Sequence, residues 1–89
     1  MKSAGTLYNP NNDEVVAKAF CVVNISEKRG IKEANGRFRI IKGEDKFRSL
    51  FFTQSKFYLN LDNGYHGNIV VDRLGELIGF KSTGPFKRS

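Results

Sequence analysis

The sequence predicts a small β-rich α+β domain, an antiparallel sheet of about five strands followed by a short C-terminal helix. Three observations predict it. Apolar and polar residues alternate along several short stretches. Turn formers separate those stretches, at Asn9–Asp13, Lys28-Arg29-Gly30, Asn35-Gly36, Gly43-Glu44-Asp45 and Asp62-Asn63-Gly64. From Asp72 the pattern changes and apolar residues fall at helical spacing.

Each element has its own reason. Thr6-Leu7-Tyr8 suits a short edge strand inside an otherwise uninformative start, and residues 1–12 read as a tail. Val15–Ile25 is the clearest strand, with Ala17, Ala19, Cys21, Val23 and Ile25 on one face and Lys18, Phe20, Val22 and Asn24 on the other. Arg37–Lys42 is the second strand, entered through an Asn35-Gly36 turn whose positions tolerate positive φ. After Gly43-Glu44-Asp45 the third is expected over Arg48–Gln54, with Leu50 and Phe52 facing the core. Lys56–Leu61 is the fourth, ended by the strong hairpin signal Asp62-Asn63-Gly64, and Asn68–Val71 the fifth. Leu74, Leu77 and Ile78 then share a helical face that Asp72 caps, although Gly75 and Gly79 each weaken a helix by about 1 kcal/mol relative to alanine. Residues 81–89 read as a basic tail.

With 89 residues the chain makes a single domain. Its longest apolar runs, such as Leu50-Phe51-Phe52 and Ile69-Val70-Val71, are too short to span a bilayer. No apolar stretch follows Met1–Gly5, so no secretory signal is expected. The single cysteine, Cys21, has no partner for a disulfide and sits in an apolar strand pattern. It reads as a buried small hydrophobe in a cytoplasmic protein.

Net charge is +6, and it is localised. Between Lys28 and Tyr58 nine cations (Lys28, Arg29, Lys32, Arg37, Arg39, Lys42, Lys46, Arg48, Lys56) face three anions (Glu33, Glu44, Asp45). The remainder of the chain is neutral. A basic balance confined to one third of a small domain suggests a surface that meets a polyanion, a solvated positive face being the plainer alternative.

Catalytic chemistry is not legible. One histidine, His66, and one cysteine leave no zinc ligand set, and no nucleophile or orienting group is spaced to serve His66 as a base. The glycines of Gly30–Gly36 lack the Gly-Lys-Ser/Thr ending of a phosphate loop. Glu44-Asp45 is a consecutive pair on a turn. No enzyme, cofactor or metal is expected. Cations alternating with aromatic residues are present instead: Arg37 with Arg39, and Lys56 with Tyr58, each point one way along a strand. Such a surface neutralises phosphates and offers a ring for a base to stack on. Phe38, Phe57 and Leu59 are expected in the core with Leu50 and Phe52, while Phe51, Tyr58 and Tyr65 are candidates for an exposed platform.

Several motifs resemble the stage V sporulation protein G (SpoVG) family of small bacterial regulators. They are Lys18–Glu27, Ile31-Lys32, Arg39-Ile40-Ile41-Lys42-Gly43, Leu50-Phe51-Phe52, Ser55-Lys56 and Gly64-Tyr65-His66, covering Lys18–Val71. The family's Met-Pro before the Ser-Arg/Lys pair is replaced by Thr53-Gln54, and extra residues stand around Ala34–Gly36 and Glu44–Arg48. The resemblance implies a SpoVG-like fold, DNA or RNA binding with weak sequence preference, a homodimer joined through its sheet, and a regulatory role. It also implies that Ser55 and Lys56 lie on the binding side. Gly67–Leu74 is, separately, similar to the filamentous-phage single-stranded-DNA-binding proteins, which are small open-barrel dimers.

The expected protein is therefore a cytoplasmic, homodimeric nucleic-acid-binding regulator. Arg37, Arg39, Lys42, Lys46, Arg48 and Lys56 contact phosphates, Tyr58 stacks, and Ser55 lies alongside. No membrane or small-molecule substrate is involved. The rival is a protein-interaction module, such as an inhibitor encoded by a phage or mobile element, in which the same cations meet an acidic protein and Phe51 or Tyr58 anchors the interface.

Overall fold

Two three-stranded meanders, joined by one helix, build the fold seen in a computed structural model that describes residues Met1–Ser89. The first meander is β1 (Lys2–Tyr8), β2 (Val15–Lys28) and β3 (Ile31–Lys42); the helix is α1 (Glu44–Phe51). The second is β4 (Lys56–Leu61), β5 (Tyr65–Arg73) and β6 (Ile78–Ser82), with a two-residue strand β7 (Lys87–Arg88) continuing along β5. β1 pairs with β4 and β3 with β6, every pairing antiparallel, so the meanders close on each other. The result is a six-stranded ring with no free edge along its body.

The expected α+β fold is corrected by this architecture. Strands hold 62% of the chain and the one helix is short, which makes the domain all-β in character. Two expected elements change type. Arg48–Gln54, expected as a strand, lies in and just after α1. Phe47, Leu50 and Phe51 share one face at i, i+3, i+4 spacing, and burying that face outweighs a short alternation. Gly43 supplies the left-handed start at φ 92°, and a Cβ there would meet the Val16 carbonyl oxygen at 2.5 Å. Glu44 and Asp45 oppose the positive end of the helix dipole. Phe52, expected in the core, ends up 91% exposed beyond the helix.

The expected C-terminal helix is a loop followed by a strand. Leu74 and Leu77 stay exposed, while Ile78 and Phe80 turn inward from β6. Gly75 and Gly79 disfavour the helix, and pairing Arg37↔Gly79 and Phe38↔Ile78 satisfies the backbone of β3 instead. The chain ends, expected as tails, contribute as well. β1 is paired on both sides, and Phe86 is 1% exposed with its N–H donating to the Lys32 carbonyl.

The interior alternates small with large side chains, as a narrow ring requires. Ala17, Ala19 and Cys21 line β2, and Phe38 on the neighbouring β3 joins Phe57 and Phe80 to fill the same core. Phe47 plugs the end from α1, its ring 5.1 Å from Phe57 and 5.9 Å from Phe38. Asn35-Gly36, expected as a turn, lies within β3, where a Cβ at Gly36 would stand 2.1 Å from the Val22 carbonyl oxygen. Glycine here serves close strand approach at a bend. The true turn is Arg29-Gly30, with φ 53° and 80° between the paired Lys28 and Ile31, the signature of a type I′ hairpin. β2 and β3 extend past the ring as an arm, since β1 pairs with β2 only as far as Val22.

Candidate nucleic-acid interface

Strand parity decides which side chains leave the ring. On β2, Ala19, Cys21 and Val23 go in, so Lys18, Phe20, Val22 and Asn24 go out. On β3, Phe38 goes in, so Arg37 and Arg39 go out. Register then assembles the surface: Phe20 lies opposite Arg39 and Ala4, Val22 opposite Arg37 and Lys2, and Lys18 opposite Lys42. Phe20 is 40% and Val22 38% exposed, large fractions for apolar residues at the middle of a sheet face. Five cations thus ring an exposed phenylalanine and valine.

No Asp or Glu stands on β1, on β2 between Lys18 and Asn24, or on β3 between Asn35 and Lys42. Asp72 borders the patch in a shallow cleft beside Arg37 and Gly79. Lys18 and Lys42 face each other across the strands. Directly opposed like charges destabilise a sheet by a few tenths to about 1 kcal/mol, a cost that packing here does not explain.

The other expected site residues are distributed elsewhere. Lys46 pairs with Glu14 at 3.5 Å and Arg48 with Glu44 at 3.1 Å, so α1 presents compensated charge. Lys56 and Tyr58 project outward from β4, with Ser55 just before it. In the six-stranded ring two strands separate β4 from β3 whichever way one counts, which sets Lys56 and Tyr58 on the wall opposite Arg37 and Arg39. Parity alone aligned these two pairs; closure parts them. Tyr58 faces Tyr8 across β1 and Asn68 across β5, and its hydroxyl hydrogen-bonds His66 Nδ1 at 2.5 Å.

Of the other two candidate platform rings, Phe51 is half-buried against Phe47. Tyr65 stacks on Phe86 with ring centroids 6.2 Å apart, under the Lys32 ammonium and the Arg88 guanidinium. The sequence-based candidates do not include Phe20 and Val22, although their parity with Lys18 is a signal that the sequence carries. Cys21 is fully buried, and burial first and the Asp62 charge second push its thiol up to about 12. It stays protonated at neutral pH and offers no nucleophile.

No His/Cys/Asp/Glu cluster that would hold a metal ion is present. No helix is long and apolar enough to cross a membrane. The chain matches no family model, no curated protein and no solved structure. Of the motifs that resemble the SpoVG family, Lys18–Glu27 lies on β2 and Arg39–Lys42 on β3, whereas Leu50-Phe51-Phe52 lies at the end of α1 rather than on a strand.

Proposed function

We propose that the protein binds nucleic acid, with weak sequence preference and in a regulatory rather than catalytic role, through the outer face of β1, β2 and β3. One observation carries the reading: Lys2, Lys18, Arg37, Arg39 and Lys42 surround the exposed ring of Phe20 and outnumber the two carboxylates at the border, Asp62 and Asp72. The cations bind phosphates and release counterions, and the ring receives a base. Phe20 stacks on unpaired bases only, since a duplex presents its bases edge-on, so single strands are the preferred form. The resemblance of the β2 and β3 segments to SpoVG regulators supports the same reading.

A protein partner with an acidic surface is the competing reading, for which Phe20 and Val22 serve as anchors. Self-association through this face is opposed by its five like charges. A second copy would find its unpaired strand edge on the arm, at Asn24–Lys28 of β2. Titration of labelled single- and double-stranded oligonucleotides at two salt concentrations tests the reading. Single strands bind more tightly and binding weakens as salt rises. Absence of binding by either form at ~50 mM salt, where screening is weak, overturns it.

A further inference from the structure

The wall that carries Tyr58 is grooved. An open cleft of about 610 Å³ runs between the Pro10-Asn11 turn, the residues that follow α1, and β5; Gln54, Ser55, Lys56 and Asn68 line it. A second cleft of about 270 Å³, lined by Tyr58, His66 and Lys87, shares Asn68 with the first. Neither lining holds a carboxylate. Gln54 is committed internally, its amide donating to Asn9 Oδ1 at 3.3 Å and to the Lys56 carbonyl at 3.0 Å. The side chains of Ser55, Lys56 and Asn68 have no partner within the chain. A hydroxyl, an ammonium and an amide are therefore left facing open space beside an aromatic ring.

The spacing suits one kind of ligand. Lys56 and Tyr58 project from the same face of β4, two residues and so about 7 Å apart, a span that one nucleotide bridges from phosphate to base. Asn68 sits directly across from Tyr58. Its amide has a donor and an acceptor for a base edge, which a Watson–Crick partner would otherwise occupy.

We propose that this groove is a second subsite, on the opposite wall from Phe20, that holds one phosphorylated nucleotide with an unpaired base. Lys56 and Ser55 take the phosphate, Tyr58 the face of the base, and Asn68 its edge. The proposal rests on the nucleic-acid reading and adds to it a place where base identity is sensed.

Amide and side-chain NMR spectra of the full chain, titrated separately with a 5′-phosphorylated thymidine dinucleotide, thymidine and inorganic phosphate, test it. The dinucleotide is expected to shift the Asn68 side-chain amide and the backbone amides of Lys56 and Tyr58 more than either fragment does. Asn68→Ala and Lys56→Gln should each weaken it about tenfold. Tyr58→Phe, which keeps the ring and drops the His66 hydrogen bond, should retain binding; Tyr58→Leu should not. Unchanged thermal melting of each variant separates lost contacts from lost fold. Equal shifts from phosphate alone, or shifts confined to Phe20, Arg37 and Arg39, overturn the groove. A longer oligonucleotide that moves the Phe20 wall and leaves the groove silent removes this subsite only. One that moves neither removes the nucleic-acid reading with it.

Discussion

The ring has two walls that alternate in the same way and present different chemistry. On β2 from Lys18 to Val22 and on β3 from Arg37 to Arg39 the outward positions are cationic and apolar, with Arg37 and Arg39 beside Val22 and Phe20. On β4 and β5 they are amides, hydroxyls and aromatic rings, with Asn60, Asn68 and Tyr58 around His66 and the ammonium of Lys56 at one end. The first wall is built for charge density and the second for directed hydrogen bonds. The difference shows that a local count of basic and aromatic residues is a poor guide to a surface. What matters is which strands neighbour one another once the sheet has closed.

Five variants break or sharpen this contrast. Reversing Arg37 and Arg39 together to Glu should lower affinity for a single-stranded oligonucleotide roughly a hundredfold at low salt, measured by fluorescence anisotropy. The same reversal leaves the fold intact, because both side chains are exposed. Next, Phe20→Ala should cost ~1–3 kcal/mol of binding, the value of one stacked base, with a much smaller change in the urea midpoint. Lys18→Glu separates function from stability. Removing the repulsion with Lys42 should raise stability by roughly 0.5 kcal/mol while binding falls. The smallest effect belongs to α1. Lys46→Gln and Arg48→Gln should each change affinity less than about threefold, since Glu14 and Glu44 already offset those charges at an exposed site. A large loss at Lys46 or Arg48 would move the binding surface to the helix end of the ring.

Legibility followed the range of the forces involved. Strand alternation is a local signal, and β4 spans Lys56–Leu61, the limits its alternation predicts. The outward set on β2 and β3 was equally readable from parity. α1 was harder, because Phe47, Leu50 and Phe51 carry a helical face while Leu50 and Phe52 also fit a strand. Only the open end of the ring, which Phe47 fills, decides between them. The C-terminal segment misleads for the related reason that Ile78 fits both a helical face with Leu74 and an alternation with Phe80. Ring closure itself joins residues far apart in the chain, such as Leu7 with Leu59 and Phe38 with Ile78. No local pattern encodes such a pairing, so the separation of Tyr58 from Arg37 was invisible. Phe86, one aromatic residue in a basic tail, has no periodicity to betray its burial.

The salt dependence of single-strand binding, measured for the wild type and for the Arg37→Gln/Arg39→Gln double variant, bears most directly on the central claim. Four or five phosphate contacts on the β1–β2–β3 wall predict a log–log slope of about −3, and removing two of them predicts a slope shallower by about 1.4. A slope that the double variant leaves unchanged would contradict the claim.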